Sequence, residues 1–152
     1  MRDLVSERFS VEQGIRILVQ VPESDADAVQ QAILSVDPLV WGDYDRVSFT
    51  SALGIQQFRS LPGGVNAAME HEAQVACVEL QVFTPARGAE LERILSAIYA
   101  AHPYEEPVIQ LVEATRTRHV PGLDEGNPNR FWNRSDAEMP EWVPEAHRRK
   151  QG

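Results

Sequence analysis

The chain has 152 residues, 43% of them hydrophobic, and a formal net charge of −9 at pH 7, which together predict an acidic globular protein with a real core. An acidic surface repels phosphate groups, so neither nucleic acid nor an anionic membrane is expected as the main partner. The single cysteine, Cys77, excludes a disulfide within the chain. We expect a soluble, cytoplasmic protein, because no segment has the ~18 consecutive apolar residues of a membrane span and the N-terminus lacks the apolar region of a secretion signal.

The first half of the chain predicts a strand, a helix and a broken strand. Residues 1–13 are interpreted as a polar extension. Residues 15–21 alternate between apolar and mixed positions, which is typical of a strand with one apolar face. A helix is predicted to follow, with Ser24 as its N-cap and Pro38 beyond its end. Residues 46–58 then read as two short strand segments with a break near Gly54.

The second half repeats the same unit. Residues 75–82 alternate, with the core side formed by Ala76, Val78, Leu80 and Val82. Residues 86–102 have a helical stripe that Pro103 ends. Residues 107–118 predict a closing strand. The order strand, helix, strand, strand, helix, strand favours an α+β ferredoxin-like sandwich over residues 14–114, with its helices on one face of an antiparallel sheet.

This topology makes the first and third strands central neighbours. Their face without helices would place Leu18 and Gln20 beside Cys77, Glu79 and Gln81. The face is half apolar and half polar, and no helix is left to cover it. A second subunit is therefore expected there.

Residues 115–152 form a C-terminal arm without sustained periodicity. The arm contains Phe131, Trp132 and Trp142, which disordered tails usually lack. We therefore expect an ordered arm in which Trp132 or Trp142 is buried. A solvated tail is the alternative.

The segment His102-Pro-Tyr-Glu-Glu-Pro107 has the composition of either a binding site or a turn. As a metal site, His102 and Glu105 would act with Glu79, and this donor set suits Zn²⁺ or Cu²⁺. As a turn, His102 would end the helix and Pro107 would set the start of the strand. The adjacent carboxylates Glu105 and Glu106 repel each other unless a cation lies nearby. Both interpretations stay open at this point.

Two segments together resemble a known family. They are WGDYDRVSFTSALGIQQFRSLPGG, with Gly42, Tyr44, Ser48, Phe49, Gly54, Phe58 and Pro62, and HPYEEP, with Glu79 between them. They resemble the domain inserted in YqfO-type (Nif-three-like) proteins, over residues 14–114. That domain is similar in fold to CutA copper-tolerance proteins and, more distantly, to PII signalling proteins, and both of these are trimers. The resemblance implies a homotrimer of ferredoxin-like subunits.

The chain departs from this family in lacking the flanking domain that holds two metals, so the hydrolase activity is not carried over. We predict a non-catalytic, oligomeric binding or regulatory domain that holds a metal ion or small ligand at subunit boundaries. The predicted ligand contacts are Tyr44, Glu79, Tyr104 and Glu106, and a divalent metal is the candidate cofactor. The alternatives are a metal-dependent hydrolase and a pure assembly or adaptor module.

Overall fold

The computed structural model describes residues 4–148, which form two compact units. The larger unit comprises residues 11–118 with Leu4, and the smaller comprises residues 5–10 and 119–148. The elements are β1 (Phe9–Val21), α1 (Glu23–Leu34), β2 (Phe49–Thr50), β3 (Gly54–Phe58), β4 (Ala73–Thr84), α2 (Gly88–Ala101) and β5 (Ile109–His119), followed by three short 3-10 turns. The expected α+β fold, an antiparallel sheet with two helices, is confirmed.

The sheet has the strand order β2-β4-β1-β5, and β3 also pairs with β4. The prediction that the first and third strands are central neighbours is confirmed, because β1 pairs antiparallel with β4. Its register places Leu18 opposite Gln81 and Gln20 opposite Glu79. Strands β2 and β3 are the two halves of the broken strand, and both pair antiparallel with β4.

The core lies between the sheet and the two helices. The alternating residues of β1 and β4 provide one side, and the apolar stripes of α1 and α2 provide the other. Side chains with no exposed surface include Ile17, Val19, Val29, Ile33 and Ile98. Each such side chain contributes roughly 1.5–3 kcal/mol relative to an exposed position. Because these side chains are buried, β1 and β4 keep one register, and the same residues stay on the face without helices.

Several predicted boundaries differ from the observed elements. Strand β1 begins at Phe9, so residues 9–13 of the predicted extension are part of the strand. The predicted domain boundaries at residues 14 and 115 fall inside β1 and β5. Ser24 is not the N-cap of α1, because Pro22 occupies that position. The Ser24 hydroxyl instead donates to the Asp25 carboxylate at 2.9 Å.

At one end of the face without helices, Arg116 packs against two aromatic rings that also contact each other. The Arg116 guanidinium lies 4.5 Å from the ring centroid of Phe83 and 5.2 Å from that of Trp41. Its Nη2 also forms a 2.7 Å ion pair with Glu12, and the Arg116 side chain is only 9% exposed. The Phe83 ring lies so close to Gly14 that a Cβ there would be 2.1 Å from Phe83 Cζ. Only glycine leaves room for this ring.

The middle of the same face is less open than the sequence predicted. Leu18 and Cys77 are both buried within the single chain. The expectation that these two apolar side chains lie uncovered is therefore wrong. Gln20, Glu79 and Gln81 are half-buried, so the surface available there is mainly polar.

The smaller unit is organised around Phe131 and Asp124. Phe131 packs edge-to-face against Trp132 and Trp142, with centroid distances of 5.1 and 5.8 Å. Asp124 pairs with Arg8 and with Arg130. Trp132 and Trp142 are 40% and 69% exposed, so the prediction that one of them is buried is wrong.

Candidate functional site

The HPYEEP segment is a turn that connects α2 to β5. Helix α2 ends at Ala101, and the backbone N–H of His102 donates to Ile98 O at 2.9 Å. His102 itself has ψ of 137°, the extended conformation that a following proline imposes. The chain therefore leaves the helix at His102, and Tyr104 is brought back beside the helix end, with its ring centroid 5.0 Å from that of His102.

His102 is held by hydrogen bonds at both ring nitrogens. Its Nε2 lies 2.8 Å from the carbonyl oxygen of Gln20, and its Nδ1 lies 3.0 Å from the backbone nitrogen of Tyr104. A backbone N–H can only donate, so Nδ1 accepts and Nε2 carries the proton that is donated to Gln20. His102 is buried, and this arrangement leaves no lone pair for a metal. Its role within the single chain is to connect the turn to β1.

The Tyr104 hydroxyl is a buried polar group with no hydrogen-bond partner among the described residues. Burial raises the pKa of Tyr104 above its usual value, and the charges of Cys77 and Asp25 raise it further. Native structures rarely bury a hydroxyl without a partner, so this one is suited to accept or donate a bond to a small molecule.

Polar side chains form two neighbouring hydrogen-bonded pairs across β1, β3 and β4 on the face without helices. The Gln56 amide donates to Gln20 Oε1 at 2.9 Å, and the Gln81 amide donates to Glu79 Oε1 at 3.0 Å. Gln20 is opposite Glu79 in the β1–β4 register, so the two pairs are adjacent. We call Gln20, Gln56, Glu79 and Gln81 the polar strip. Gln20 also connects the strip to the turn, since its carbonyl accepts from His102.

The structure brings only some of the predicted site residues together. Glu79 belongs to the polar strip, and His102 and Tyr104 are joined to the strip through Gln20. Glu105 and Glu106 are exposed on the turn, and Tyr44 is 64% exposed on a separate turn that it forms with Trp41. Within residues 4–148 no three His, Cys, Asp or Glu side chains are placed to hold a metal. The expected convergence of His102, Glu105 and Glu79 is thus not found in the single chain.

Gln20 was expected on this face, but neither Gln20 nor Gln56 was among the predicted site residues. Gln20 could have been chosen because it shares the face of Glu79 in the strand alternation. Gln56 could not have been chosen from the sequence, because its position depends on the pairing of the short strand β3 with β4.

A second surface feature is an apolar arm formed by β2, β3 and their flanking loops. Its large side chains are exposed by 42–71%, and they are Phe49, Leu53, Ile55, Phe58 and Leu61. We call this set the β2–β3 arm. Phe49 is opposite Gln81, so the arm begins directly beside the polar strip.

None of the helices between residues 4 and 148 has the length and the apolar character that a membrane span needs.

No family model matches the chain. Curated proteins that resemble it are each named "GTP cyclohydrolase 1 type 2 homolog". Those of Mycobacterium tuberculosis and Mycobacterium leprae are 32% and 34% identical to it over 96 residues. The match covers 62% of this chain and 24% of the relatives, so the chain spans about a quarter of their length.

Solved structures agree on the fold. A Bacillus cereus protein related to NIF3 matches with a TM-score of 0.59 and 23% identity, over 74% of this chain and 28% of that one. CutA1 from Ehrlichia chaffeensis matches with a TM-score of 0.50 and 12% identity, over 72% of this chain and 84% of that one. The chain therefore resembles a NIF3-like domain and has a CutA-like fold.

Proposed function

We propose that this chain is a homo-oligomeric binding domain without catalytic groups of its own, and that it holds a small ligand at the polar strip where subunits meet. The observation that supports this most is the exposure of the β2–β3 arm. Five large apolar side chains on consecutive strand and loop segments are unusual on a monomer, whereas a subunit interface would bury them.

The expected assembly is a homotrimer, as the resemblance to CutA proteins implies. Among residues 4–148 the sheet ends at β5 on one side, and the apolar arm lies at the opposite edge. Pairing of unlike edges between copies is a heterologous contact, and such contacts form a ring when the rotation closes. The polar strip lies beside the arm, so that ring would place it at a subunit boundary.

The polar strip favours a small polar ligand over a metal. Its amide and carboxylate groups supply both donors and acceptors, which suits a ligand with several hydrogen-bonding groups. Glu79 and Tyr104 would be contacts from the strip and the turn, and Glu106 and Tyr44 would be contacts from neighbouring subunits. A divalent metal would be bound without His102, by Glu79 or Glu105 with groups of another subunit.

Sedimentation of the purified protein at micromolar concentration tests the assembly. We expect the mass of three chains, and we expect Ile55→Glu, which places a charge in the arm, to give monomers. Tyr99→Glu is the matched control, because Tyr99 is exposed on α2 and outside the arm. A wild-type monomer, or equal dissociation of both variants, would contradict the proposal.

Native mass spectrometry tests the binding part. A small molecule retained by the wild-type assembly should be lost in Glu79→Gln while the oligomer mass stays the same. Turnover of GTP by wild type above that of Glu79→Gln would contradict the assignment of a non-catalytic role.

A further inference from the structure

The polar strip contains a carboxylate that no cation balances. Glu79 is half-buried in the middle of β4, and its Oε1 accepts the amide N–H of Gln81 at 3.0 Å. Among residues 4–148 no arginine or histidine forms an ion pair with Glu79. The cation of β1 on this face, Arg16, is opposite Phe83 and lies about 13 Å along the sheet from the row of Glu79. A carboxylate that is partly removed from water needs a positive or N–H-rich partner.

The groups around Glu79 that are still free are mostly hydrogen-bond acceptors. Because the amide nitrogen of Gln81 donates to Glu79, the amide oxygen of Gln81 is free beside the carboxylate. Glu79 Oε2 also has no partner among the described residues. The pair formed by Gln20 and Gln56 leaves one amide oxygen and one amide NH₂ group unused. The strip therefore offers more acceptors than donors, and one of the acceptors carries a full negative charge.

An exposed aromatic ring flanks these acceptors. Phe49 on β2 is directly opposite Gln81, and such pairs lie about 4.5–5.5 Å apart between Cβ atoms. Glu79 is the diagonal neighbour of Phe49, at roughly 7–8 Å, which long and aromatic side chains can span. The Phe49 side chain is 63% exposed, and no other ring of the described residues packs against it. A flat group lying on this ring would therefore also reach the Glu79 carboxylate.

We propose that the ligand of the polar strip carries a guanidinium group, an inference that rests on the proposed binding function. A guanidinium is a planar cation with five N–H donors and no acceptor. It would form a forked pair of hydrogen bonds with Glu79, donate to the free amide oxygen of Gln81 and lie against the ring of Phe49.

Other cations match these groups less well. An ammonium ion has the charge but neither the planar fork nor the flat face, and a divalent metal would find a single carboxylate in the strip. The net charge of −9 favours a cationic ligand over an anionic one.

Agmatine, which has a guanidinium, is the probe, and cadaverine is the matched comparison because it also has two positive charges but carries both as ammonium groups. Calorimetric titration of the full-length protein at physiological salt measures both affinities. We expect agmatine to bind at least about fivefold more tightly than cadaverine. Glu79→Gln keeps the size and removes the charge, so it should weaken agmatine binding at least about tenfold. Phe49→Leu should weaken it about two- to fivefold, because only the ring face is lost.

Two control variants match these changes at positions outside the strip. Glu92→Gln removes an exposed carboxylate of α2. Phe58→Leu removes a ring of the same β2–β3 arm, but at the far end of β3, opposite Ala73. Both should bind agmatine within about twofold of wild type.

Equal affinity of wild type for agmatine and cadaverine would overturn the proposal, as would unchanged agmatine binding by Glu79→Gln. A loss of oligomer mass in Glu79→Gln would also overturn it, because Glu79 would then be paired with an arginine of another copy.

Failure of this inference differs from failure of the proposed function. An oligomer that retains another molecule through Glu79 and prefers cadaverine would refute the guanidinium and leave the binding function standing. A monomer that binds agmatine through Glu79 would contradict the trimer and support the guanidinium.

Discussion

His102 and Gln20 are joined by a 2.8 Å hydrogen bond from the imidazole Nε2 to the backbone carbonyl oxygen. The bond ties the end of α2 to the last residues of β1, and the second ring nitrogen orders the turn by accepting from Tyr104 N–H. His102 is thus a positioning residue for the turn and for the Gln20 end of the polar strip. Within the single chain, both ring nitrogens of His102 are used in hydrogen bonds that hold the turn.

Replacing His102 with alanine should lower the free energy of unfolding by roughly 2 kcal/mol or more, because the Gln20 carbonyl and the Tyr104 N–H both lose a buried partner. Denaturant unfolding of wild type and variant measures the loss. His71→Ala is the control, since His71 is exposed and should change stability by less than about 0.5 kcal/mol. Equal stability of all three proteins would show that the hydrogen bonds of His102 contribute nothing.

Thermal scans with Zn²⁺ and Cu²⁺ separate this role from metal binding. Because both imidazole nitrogens are already bonded, we expect any shift in melting temperature to be the same in wild type and His102→Ala. A stabilisation by metal that is present in wild type and lost in His102→Ala would return His102 to the set of ligands.

Tyr104→Phe should stabilise the isolated protein by about 1–3 kcal/mol, because it removes a buried hydroxyl that has no partner among the described residues. Denaturant unfolding without ligand measures the gain. Tyr99→Phe is the control, since Tyr99 is exposed and its hydroxyl is hydrated. A destabilised Tyr104→Phe would mean that the hydroxyl has a bonding partner in solution.

Tyr104 also predicts a stability change at high pH. Its pKa is raised in the folded protein from the usual 10.0 by burial and by the charges of Cys77 and Asp25. The unfolded chain therefore releases this proton first. Relative to its value below pH 10.0, the stability of the protein therefore falls as the pH rises through the raised pKa. The slope of stability against pH in this range should be shallower in Tyr104→Phe, and an unchanged slope would contradict the prediction.

Gly14→Ala should destabilise the sheet by about 1–3 kcal/mol, because the added Cβ would lie 2.1 Å from Phe83 Cζ and 2.6 Å from Thr84 O. Gly126→Ala is the matched control, since its Cβ would meet nothing within 4 Å. Combining Gly14→Ala with Phe83→Leu should recover only part of the loss, because the contact with the Thr84 carbonyl remains. Full recovery would show that the ring alone makes glycine necessary.

Acid should loosen the smaller unit through Asp124. Hydrogen bonds from Arg8 and Asn127, and the charges of Arg8 and Arg130, lower the pKa of Asp124 below its usual 3.8. A lowered pKa contributes stability above the usual value, and this is lost as the pH falls through the lowered one. The fluorescence of Trp132 and Trp142 should report this loss as the pH falls below 3.8, and Asp124→Asn should already show the loosened spectrum at neutral pH. Identical acid curves for Asp124→Asn and wild type would argue against it, with Glu141→Gln as control.

The paired face of the sheet was determined by the sequence alone. The alternation in residues 15–21 and 75–82 specifies which side chains share a face, because successive side chains of a strand point to opposite sides. The repeated order of elements makes those two strands neighbours. The alternation and the order of elements together predict that Gln20 lies near Glu79. In the structure these two residues are directly opposite each other.

Only the tertiary structure decided what each polar or aromatic side chain contacts. His102 and Gln20 are 82 residues apart, and no local pattern indicates that the imidazole reaches that carbonyl. The burial of Leu18 and Cys77 and the exposure of Trp142 likewise depend on which segments pack over each position. Periodicity describes how one segment divides between two faces, whereas side-chain hydrogen bonds and burial depend on the placement of distant segments. The sheet could therefore be predicted from the sequence, whereas the hydrogen bonds and the burial of His102, Tyr104 and Trp142 could not.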